Sequence, residues 1–235
     1  MNNCLYCTYE LESSITWYTI LKRESREPQF CEECTSRFEI ISGARCKVCS
    51  RSLYHLEEQF VIDGLCLDCH RWEQNPEWQN VLSKNLSLYT YNEFLQDLIA
   101  RFKYRGDYIL IEGFKKMLLK VSTELNFDIA VPIPLSSERL FERGFNQSEA
   151  GLVSMGLKPV HALSRSHSEK QSKKTRQERI HHEQIFLLVD GMDLKGKSVL
   201  IFDDIYTTGS TLRHASRILK EAGAEEVSSI TLARG

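Results

Sequence analysis

The sequence predicts an α/β protein with a mostly parallel sheet flanked by helices, preceded by an amino-terminal double zinc-ribbon module. Strand-like apolar runs alternate with helical patterns after residue 80. One of these runs, Val199–Phe202, leads into two acids and a turn rich in glycine and hydroxyl groups. All eight cysteines lie in the first 69 residues, as four C-x-x-C pairs. We therefore expect two parts, residues 1–80 and residues 81–235.

The four cysteine pairs indicate two structural zinc sites. Each C-x-x-C turn can offer two thiolates to one tetrahedral ion, so four turns supply two Cys₄ sites. The ligands would be Cys4, Cys7, Cys31, Cys34, Cys46, Cys49, Cys66 and Cys69. Disulfides of a secreted domain are the alternative, but the amino terminus lacks the basic and apolar regions of a signal peptide. Residues 1–80 are short of aliphatic side chains, so the metal would supply much of the folding free energy.

Spacing alone leaves open how the cysteine pairs combine. Sequential ribbons would join the first pair with the second and the third pair with the fourth, whereas a cross-brace would join the first with the third. We favour the sequential arrangement. His55 and His70 lie among the cysteines. Because eight thiolates already satisfy two ions, we expect both histidines to be surface or packing residues.

Length and charge limit the functions available to the chain. Its 235 residues allow one α/β domain of about 150 residues beside the small metal module. No apolar run reaches the roughly 18 residues of a membrane span, and reduced cysteines without a signal peptide favour the cytoplasm. Residues 1–80 carry 8 Lys/Arg against 13 Asp/Glu, while residues 81–235 carry 22 against 19. The zinc module as a whole is therefore a weak attractor for nucleic acid.

Hydrophobic periodicity gives the order of elements after a boundary near residues 74–86. Strands are predicted at 86–91, 128–133, 159–163, 185–189, 199–203 and 227–233. Helices are predicted at 93–103, 108–124 and 137–154, the last in two pieces around Gly144, and after the turn at 207–211. In sheets of this kind, ligands bind beyond the carboxyl ends of the strands.

The segment S-V-L-I-F-D-D-I-Y-T-T-G-S-T, residues 198–211, predicts a site for a phosphorylated sugar. Asp203 and Asp204 can accept hydrogen bonds from a sugar diol or ligate Mg²⁺. The small residues Thr207, Thr208, Gly209, Ser210 and Thr211 open an amphipathic helix. Backbone amides, hydroxyls and the helix dipole at such a terminus favour a phosphate. The alternative interpretation is a strand that ends in solvent before a capped helix.

Two further segments are expected to reach the same sheet edge. In 131–148, a proline-flanked turn follows a strand, and Arg139 and Arg143 share a helical face. Residues 158–182 hold seven Lys/Arg against two acids, which indicates a basic loop over polyphosphate or a surface for a nucleic-acid backbone. Solvated arginines and a solvated loop are the alternatives.

Residues 199–211 resemble the PRPP-binding signature of type I phosphoribosyltransferases. The resemblance implies that Asp203 and Asp204 bind the ribose hydroxyls and that Thr207–Thr211 bind the 5′-phosphate. It also implies a pyrophosphate loop lined by Leu135, Ser136 and Ser137, with Arg143 as a charge partner. Mg²⁺ would bridge the diol and the diphosphate.

Almost the whole chain is similar to the ComF family of bacterial competence proteins. The similarity rests on F-K-Y-R-G-D at 102–107, V-P-I-P at 131–134, R-G-F-N-Q-S at 143–148, and Gln171 with Arg179. The family implies a zinc ribbon joined to a phosphoribosyltransferase-like domain, and a role in DNA uptake beside the helicase-like ATPase of the import apparatus. His182 departs from the family, which usually has asparagine there.

Three functions remain open at this stage. The first is a phosphoribosyltransferase with an unknown acceptor. The second is an adaptor, recruited to the membrane-bound uptake machinery, that uses PRPP or a nucleotide as a regulatory ligand. The third is a single-stranded DNA-binding protein that uses the basic loop and the zinc module. No segment of the sequence defines a nucleobase pocket, so the acceptor and turnover are not predicted.

Overall fold

The computed structural model describes residues 3–11, 30–54, 56–165 and 185–235. The predictions for His55 and for most of the basic segment, including Gln171, Arg179 and His182, lie outside the described residues. Among the described residues, no helix is long and apolar enough to cross a membrane.

The described residues of the cysteine-rich part contain little regular structure. Its elements are the helix α1 (Glu32–Ser36), a 3₁₀ turn (Glu58–Phe60), the hairpin strands β1 (Val61–Ile62) and β2 (Leu65–Cys66), and the helix α2 (Leu67–Gln74). Cys31 caps α1 by accepting from the Cys34 amide. The helix α2 starts directly after Cys66 and stops before Asn75 and Pro76, close to the predicted boundary.

A four-stranded sheet forms the centre of the second part. Its strands, in spatial order, are β3 (Lys84–Thr90), β8 (Glu226–Arg234), β7 (Ser198–Tyr206) and β4 (Ile129–Pro132). All three pairings are parallel, which confirms the predicted fold class. The central strands β7 and β8 are buried along most of their length, as expected when helices cover both faces of a sheet.

Helices cover the two faces of this sheet unequally. They are α3 (Glu93–Tyr104), α4 (Lys115–Ser122), α5 (Ser137–Arg143), α6 (Gln147–Ser154) and α7 (Ser210–Glu221). Buried residues of α3, α4 and α6 form one core with Cys4, Cys31 and Cys34, whereas buried residues of α7 form the other core with the last four cysteines. The break predicted at Gly144 is confirmed, since this glycine ends α5 with a φ of +75°.

Two predicted elements differ from the structure. The helix predicted over 108–124 begins as a 3₁₀ helix (Tyr108–Phe114), and only α4 is α-helical. Within that 3₁₀ helix, Gly113 packs so closely on Phe30 and Leu5 that a Cβ would have no room. The strand predicted at 159–163 is wrong: Pro159 makes an isolated bridge to Ala130, and the strand β5 lies at Leu163–Arg165.

The strands β5 and β6 (Phe186–Leu188) form an antiparallel pair outside the central sheet. The prediction of a strand near 185–189 is confirmed. The strand β7 is longer than predicted, because it continues past Asp203 to Tyr206. The acid pair therefore lies within the strand, and the turn begins only at Thr207.

The cysteine-rich part packs against the edge strand β3 through buried polar groups. The Asn85 backbone N–H donates to the Val48 carbonyl at 2.6 Å, and the Ser50 hydroxyl donates to the Asn85 backbone carbonyl at 2.6 Å. The Asn85 side chain joins a buried network with Ser87, Ser229 and Thr231, all at 2.8–3.3 Å. The division at residue 80 stays a prediction, since each of the two cores contains residues of both predicted parts.

Candidate functional site

The turn between β7 and α7 is the segment predicted to bind a phosphate, and we call it the phosphate loop. Gly209 is the N-cap residue of α7, with a φ of +81°. A Cβ at this position would collide with the phenol of Tyr206, so both the backbone conformation and the close approach require glycine. The Ser210 amide donates to the Thr208 hydroxyl at 3.4 Å. Because glycine has no capping side chain, Gly209 makes no cap bond to the amides that follow, and these could bind an anion beside the Thr207 hydroxyl.

Asp203 shares one recess with this loop. The recess is lined by Asp203, Ile205, Tyr206, the loop residues 207–211 and Leu212. Burial, followed by the neighbouring Asp204 carboxylate, raises the pKa of Asp203 well above its usual value. The structure therefore places one predicted sugar-binding acid beside the predicted phosphate loop, at the carboxyl end of the sheet.

Asp204 has a different environment. Its carboxylate is 6% exposed and forms an ion pair with the Lys103 ammonium group, from the last turn of α3. Removing a partner from such a buried pair leaves an uncompensated charge, which is costly. Lys103 is thus a site residue that sequence reasoning missed, although it lies in the word F-K-Y-R-G-D on which the family similarity partly rests.

Residues of the segment R-G-F-N-Q-S, 143–148, connect the turn after β4 to β7 through hydrogen bonds. The Ser148 hydroxyl accepts from the Ile133 amide at 2.8 Å and donates to the carbonyl of Phe202, the residue before the acid pair. Asn146 donates to the Ile133 carbonyl at 3.0 Å and caps α6. These residues fix the separation between the turn after β4 and the acids on β7.

The predicted pyrophosphate loop lies at the end of β4. Leu135 and Ser136 are half-buried, and Ser137 is exposed at the start of α5. The Ser136 hydroxyl caps this helix by accepting from the Arg139 amide at 3.3 Å. Arg143 donates to Gln147 at 2.7 Å and stacks 5.3 Å above the Tyr104 ring, so it lies between α3 and α6.

The eight cysteines form two groups of four in sequential order. One contains Cys4, Cys7, Cys31 and Cys34, and the other Cys46, Cys49, Cys66 and Cys69, with the sulfurs of each group within 4.8 Å of one another. The sequential arrangement is confirmed and the cross-brace is excluded. We call them the first and the second Cys₄ group.

Both groups fit a tetrahedral zinc ion better than disulfides. The sulfurs of Cys7 and Cys31 are 3.6 Å apart, as are those of Cys49 and Cys66. A disulfide requires about 2.0 Å, whereas Zn–S bonds of about 2.3 Å at tetrahedral angles place sulfurs close to the observed separation. Each group could therefore hold a structural zinc ion with all four positions closed.

The second group is the more deeply buried. All four of its cysteines are at most 3% exposed, whereas Cys7 of the first group is exposed. The Arg234 guanidinium donates to the Cys49 sulfur at 3.3 Å, a cation placed where a Cys₄ zinc complex would carry net negative charge. His70 is half-buried and outside both groups.

Comparison with known proteins adds independent evidence. Residues 150–235 match the phosphoribosyl transferase domain. The chain is 36% identical over 236 residues to competence protein ComFC of Bacillus subtilis, with 98% of this chain and 94% of that protein covered. It is 31% identical over 234 residues to ComFC of Streptococcus pneumoniae, with 98% and 99% covered. Competence protein F of Haemophilus influenzae is 26% identical over 232 residues, with 87% and 96% covered.

The parallel sheet, the matched domain and the two cysteine groups define a phosphoribosyltransferase-like protein with two amino-terminal Cys₄ groups that could hold metal. The similarity to the two ComFC proteins spans almost the full length of every chain compared. This chain belongs to the ComFC family of competence proteins.

Proposed function

We propose that the chain is a PRPP-binding, phosphoribosyltransferase-like protein that acts in DNA uptake during natural transformation. One observation carries the proposal: the glycine-hydroxyl loop and Asp203 line the same recess at the carboxyl end of β7. The loop amides and hydroxyls would hold the 5′-phosphate, while Asp203 would accept a hydrogen bond from a ribose hydroxyl. The competence role is supported by the names of the relatives.

The remaining PRPP contacts follow from the same arrangement. Asp204 would share its carboxylate between Lys103 and the second ribose hydroxyl. The pyrophosphate would lie against the turn formed by Leu135, Ser136 and Ser137, with Arg143 as its cationic partner. Mg²⁺, brought with PRPP, would neutralise part of the diphosphate charge. The two zinc ions would be structural, held by the eight cysteines.

Catalysis would add one step to this binding. The bond between C1 of the ribose and a pyrophosphate oxygen would break, and an acceptor nucleophile would form a new bond to C1. The enzyme's main contributions would be to position both groups and to stabilise the charge on the departing pyrophosphate. Turnover is tested by pyrophosphate release. Saturable binding without release would make PRPP a regulatory ligand of an adaptor.

Asp203→Asn is expected to weaken PRPP binding by about 10- to 100-fold, because one carboxyl oxygen that can accept from a ribose hydroxyl is replaced by an amide NH₂ group, which can only donate. Calorimetric titration of the zinc-loaded protein with PRPP and Mg²⁺ measures the change. Asp128→Asn is the matched control, because Asp128 accepts from the Ser198 amide at the opposite end of β7. Unchanged affinity in Asp203→Asn, or equal losses in both variants, would contradict the proposed site.

The same protein is proposed to contact single-stranded DNA through the basic segment 158–182, as a cytoplasmic protein recruited to the membrane-bound uptake machinery. The observation that favours this role is the excess of seven Lys/Arg over two acids. The helicase-like ATPase of the import apparatus is the protein partner proposed with it.

Replacing Lys173, Lys174 and Arg176 together with alanine is expected to weaken oligonucleotide binding. It should also reduce the slope of log affinity against log salt by up to about 2, since three phosphate contacts are removed. Fluorescence anisotropy at several salt concentrations measures both effects. The double substitution Lys173→Arg and Lys174→Arg preserves both charges, so this control variant is expected to retain binding. An unchanged salt slope in the alanine variant would exclude this segment.

A further inference from the structure

The phosphate loop is hydrogen-bonded to α2, the helix that carries part of the second Cys₄ group. The helix α2 starts directly after Cys66 and includes Cys69. One turn beyond Cys69, the Trp72 indole N–H donates to the Thr208 carbonyl at 3.0 Å. Thr208 lies in the middle of the loop, so this bond orients its peptide group relative to the metal ligands.

A buried ion pair makes the second connection. Arg213, in the first turn of α7, is 0% exposed. Its guanidinium lies 2.8 Å from a Glu73 carboxylate oxygen and donates to the Trp78 carbonyl at 3.3 Å. The same guanidinium lies 5.2 Å from the centre of the Trp72 ring. The start of α7, whose amides face the phosphate position, is thereby fixed to α2.

Arg234 makes the third connection, at the residue that directly precedes the loop. Its Nε donates to the Cys49 sulfur at 3.3 Å, and its Nη1 donates to the Tyr206 carbonyl at 3.2 Å. Tyr206 is the last residue of β7 and packs against Gly209. One side chain therefore contacts both a metal ligand and the residue that begins the loop.

The first Cys₄ group has different neighbours. Tyr6, which lies between Cys4 and Cys7, donates to the Asp97 carboxylate at 2.8 Å, and its carbonyl accepts from Arg101 at 3.0 Å. Both partners belong to α3. The link of the first group to the proposed site runs through α3 and Lys103 and not through the phosphate loop, so a larger effect on the second group marks coupling through that loop.

We propose that the second Cys₄ group and the phosphate loop form one coupled unit, in which bound metal keeps α2 in the position that shapes the loop for an anion. Trp72 is the positioning residue of this unit. The inference rests on the proposed PRPP site and adds its regulation by metal. Coupling between two binding sites is reciprocal. Bound PRPP must therefore strengthen metal binding by the same factor by which bound metal strengthens PRPP binding.

The reciprocal effect is measured on the wild-type protein by cysteine alkylation in the presence of a zinc-selective chelator, with Mg²⁺ in excess in every sample. Peptide mass spectrometry separates alkylation of Cys46–Cys69 from that of Cys4–Cys34. Saturating PRPP with Mg²⁺ is expected to slow alkylation of the second group at least about fivefold, the lower end of typical coupling, and to have a smaller effect on the first group. Equal rates with and without PRPP, or equal protection of both groups, would overturn the inference.

A variant tests the positioning role directly. Trp72→Phe keeps an aromatic ring but removes the N–H donor. It is expected to weaken PRPP binding about 3- to 10-fold. It should also reduce the degree to which PRPP slows alkylation of the second Cys₄ group. Tyr6→Phe also removes one hydrogen bond, beside the first group, and is expected to change neither quantity. Circular dichroism is the control that tests whether both variants fold.

The outcomes separate this inference from the proposed function. Absence of PRPP binding to the zinc-loaded wild-type protein would remove the proposed function and this inference with it. Normal PRPP binding in wild type and in Trp72→Phe, with no ligand effect on alkylation, would overturn the coupling alone.

Discussion

Gly209→Ala is expected to lower PRPP affinity by at least about 100-fold and the free energy of unfolding by about 1–3 kcal/mol. The new methyl group would meet the Tyr206 phenol, and the φ of +81° disfavours any residue with a Cβ. Relief of both conflicts requires the loop to move away from the amide positions that a phosphate needs. Calorimetric titration and chemical denaturation measure the two effects.

Gly191→Ala is the matched control for this substitution. Gly191 has a φ of +80°, almost the same as Gly209, but open space surrounds its Cβ position. It therefore reports the backbone cost alone, with little expected effect on PRPP binding. Loss of PRPP affinity to the same extent in both variants would show that the close packing at Gly209 does not shape the site.

Removal of zinc is expected to lower the melting temperature by more than about 15 °C. Structural zinc sites contribute on the order of 10 kcal/mol each in isolated modules, and about 1 kcal/mol shifts the melting temperature of a chain this long by roughly 2–4 °C. All cysteines except Cys7 lie in one of the two cores, so the loss should extend into the α/β part. Metal analysis and thermal melting before and after chelation provide the measurement.

A chelator already saturated with zinc controls for effects of the chelator itself. The expected stoichiometry is two zinc ions per chain, one for each Cys₄ group. Since the ligands must be deprotonated, metal retention should weaken as the pH falls. A metal-free protein with an unchanged melting temperature would show that the cysteine groups do not depend on zinc.

Local patterns predicted most of the fold. Apolar runs and helical periodicity placed β3, α3, β4, β7, α7 and β8 to within a few residues, because these elements bury continuous apolar faces. The 3₁₀ helix before α4 was missed; its Gly113 packs against Phe30 and Leu5, which are distant in the sequence. Periodicity within a window contains no information about such contacts.

The sequence also predicted the contiguous part of the candidate site, but not the distant residues that contact it. The loop and Asp203 follow from one contiguous motif, and the structure places them in one recess. The ion pair between Asp204 and Lys103 joins positions 101 residues apart, and the contacts of Trp72 and Arg213 with the loop join the two predicted parts of the chain. Spacing can identify ligands within a motif, but it cannot show which distant side chains hold that motif in place.

The buried amide and hydroxyl groups between β3 and β8 have a consequence for assembly. Asn85, Ser87, Ser229 and Thr231 satisfy one another only in the observed alignment, because shifting one strand by a single residue would turn their side chains to the opposite face. Two parallel strands made only of aliphatic side chains could slide with less penalty. The polar cluster therefore favours a single alignment of β3 against β8 during folding, and this also fixes the position relative to β8 of the Asn85 backbone groups that bind the third C-x-x-C turn.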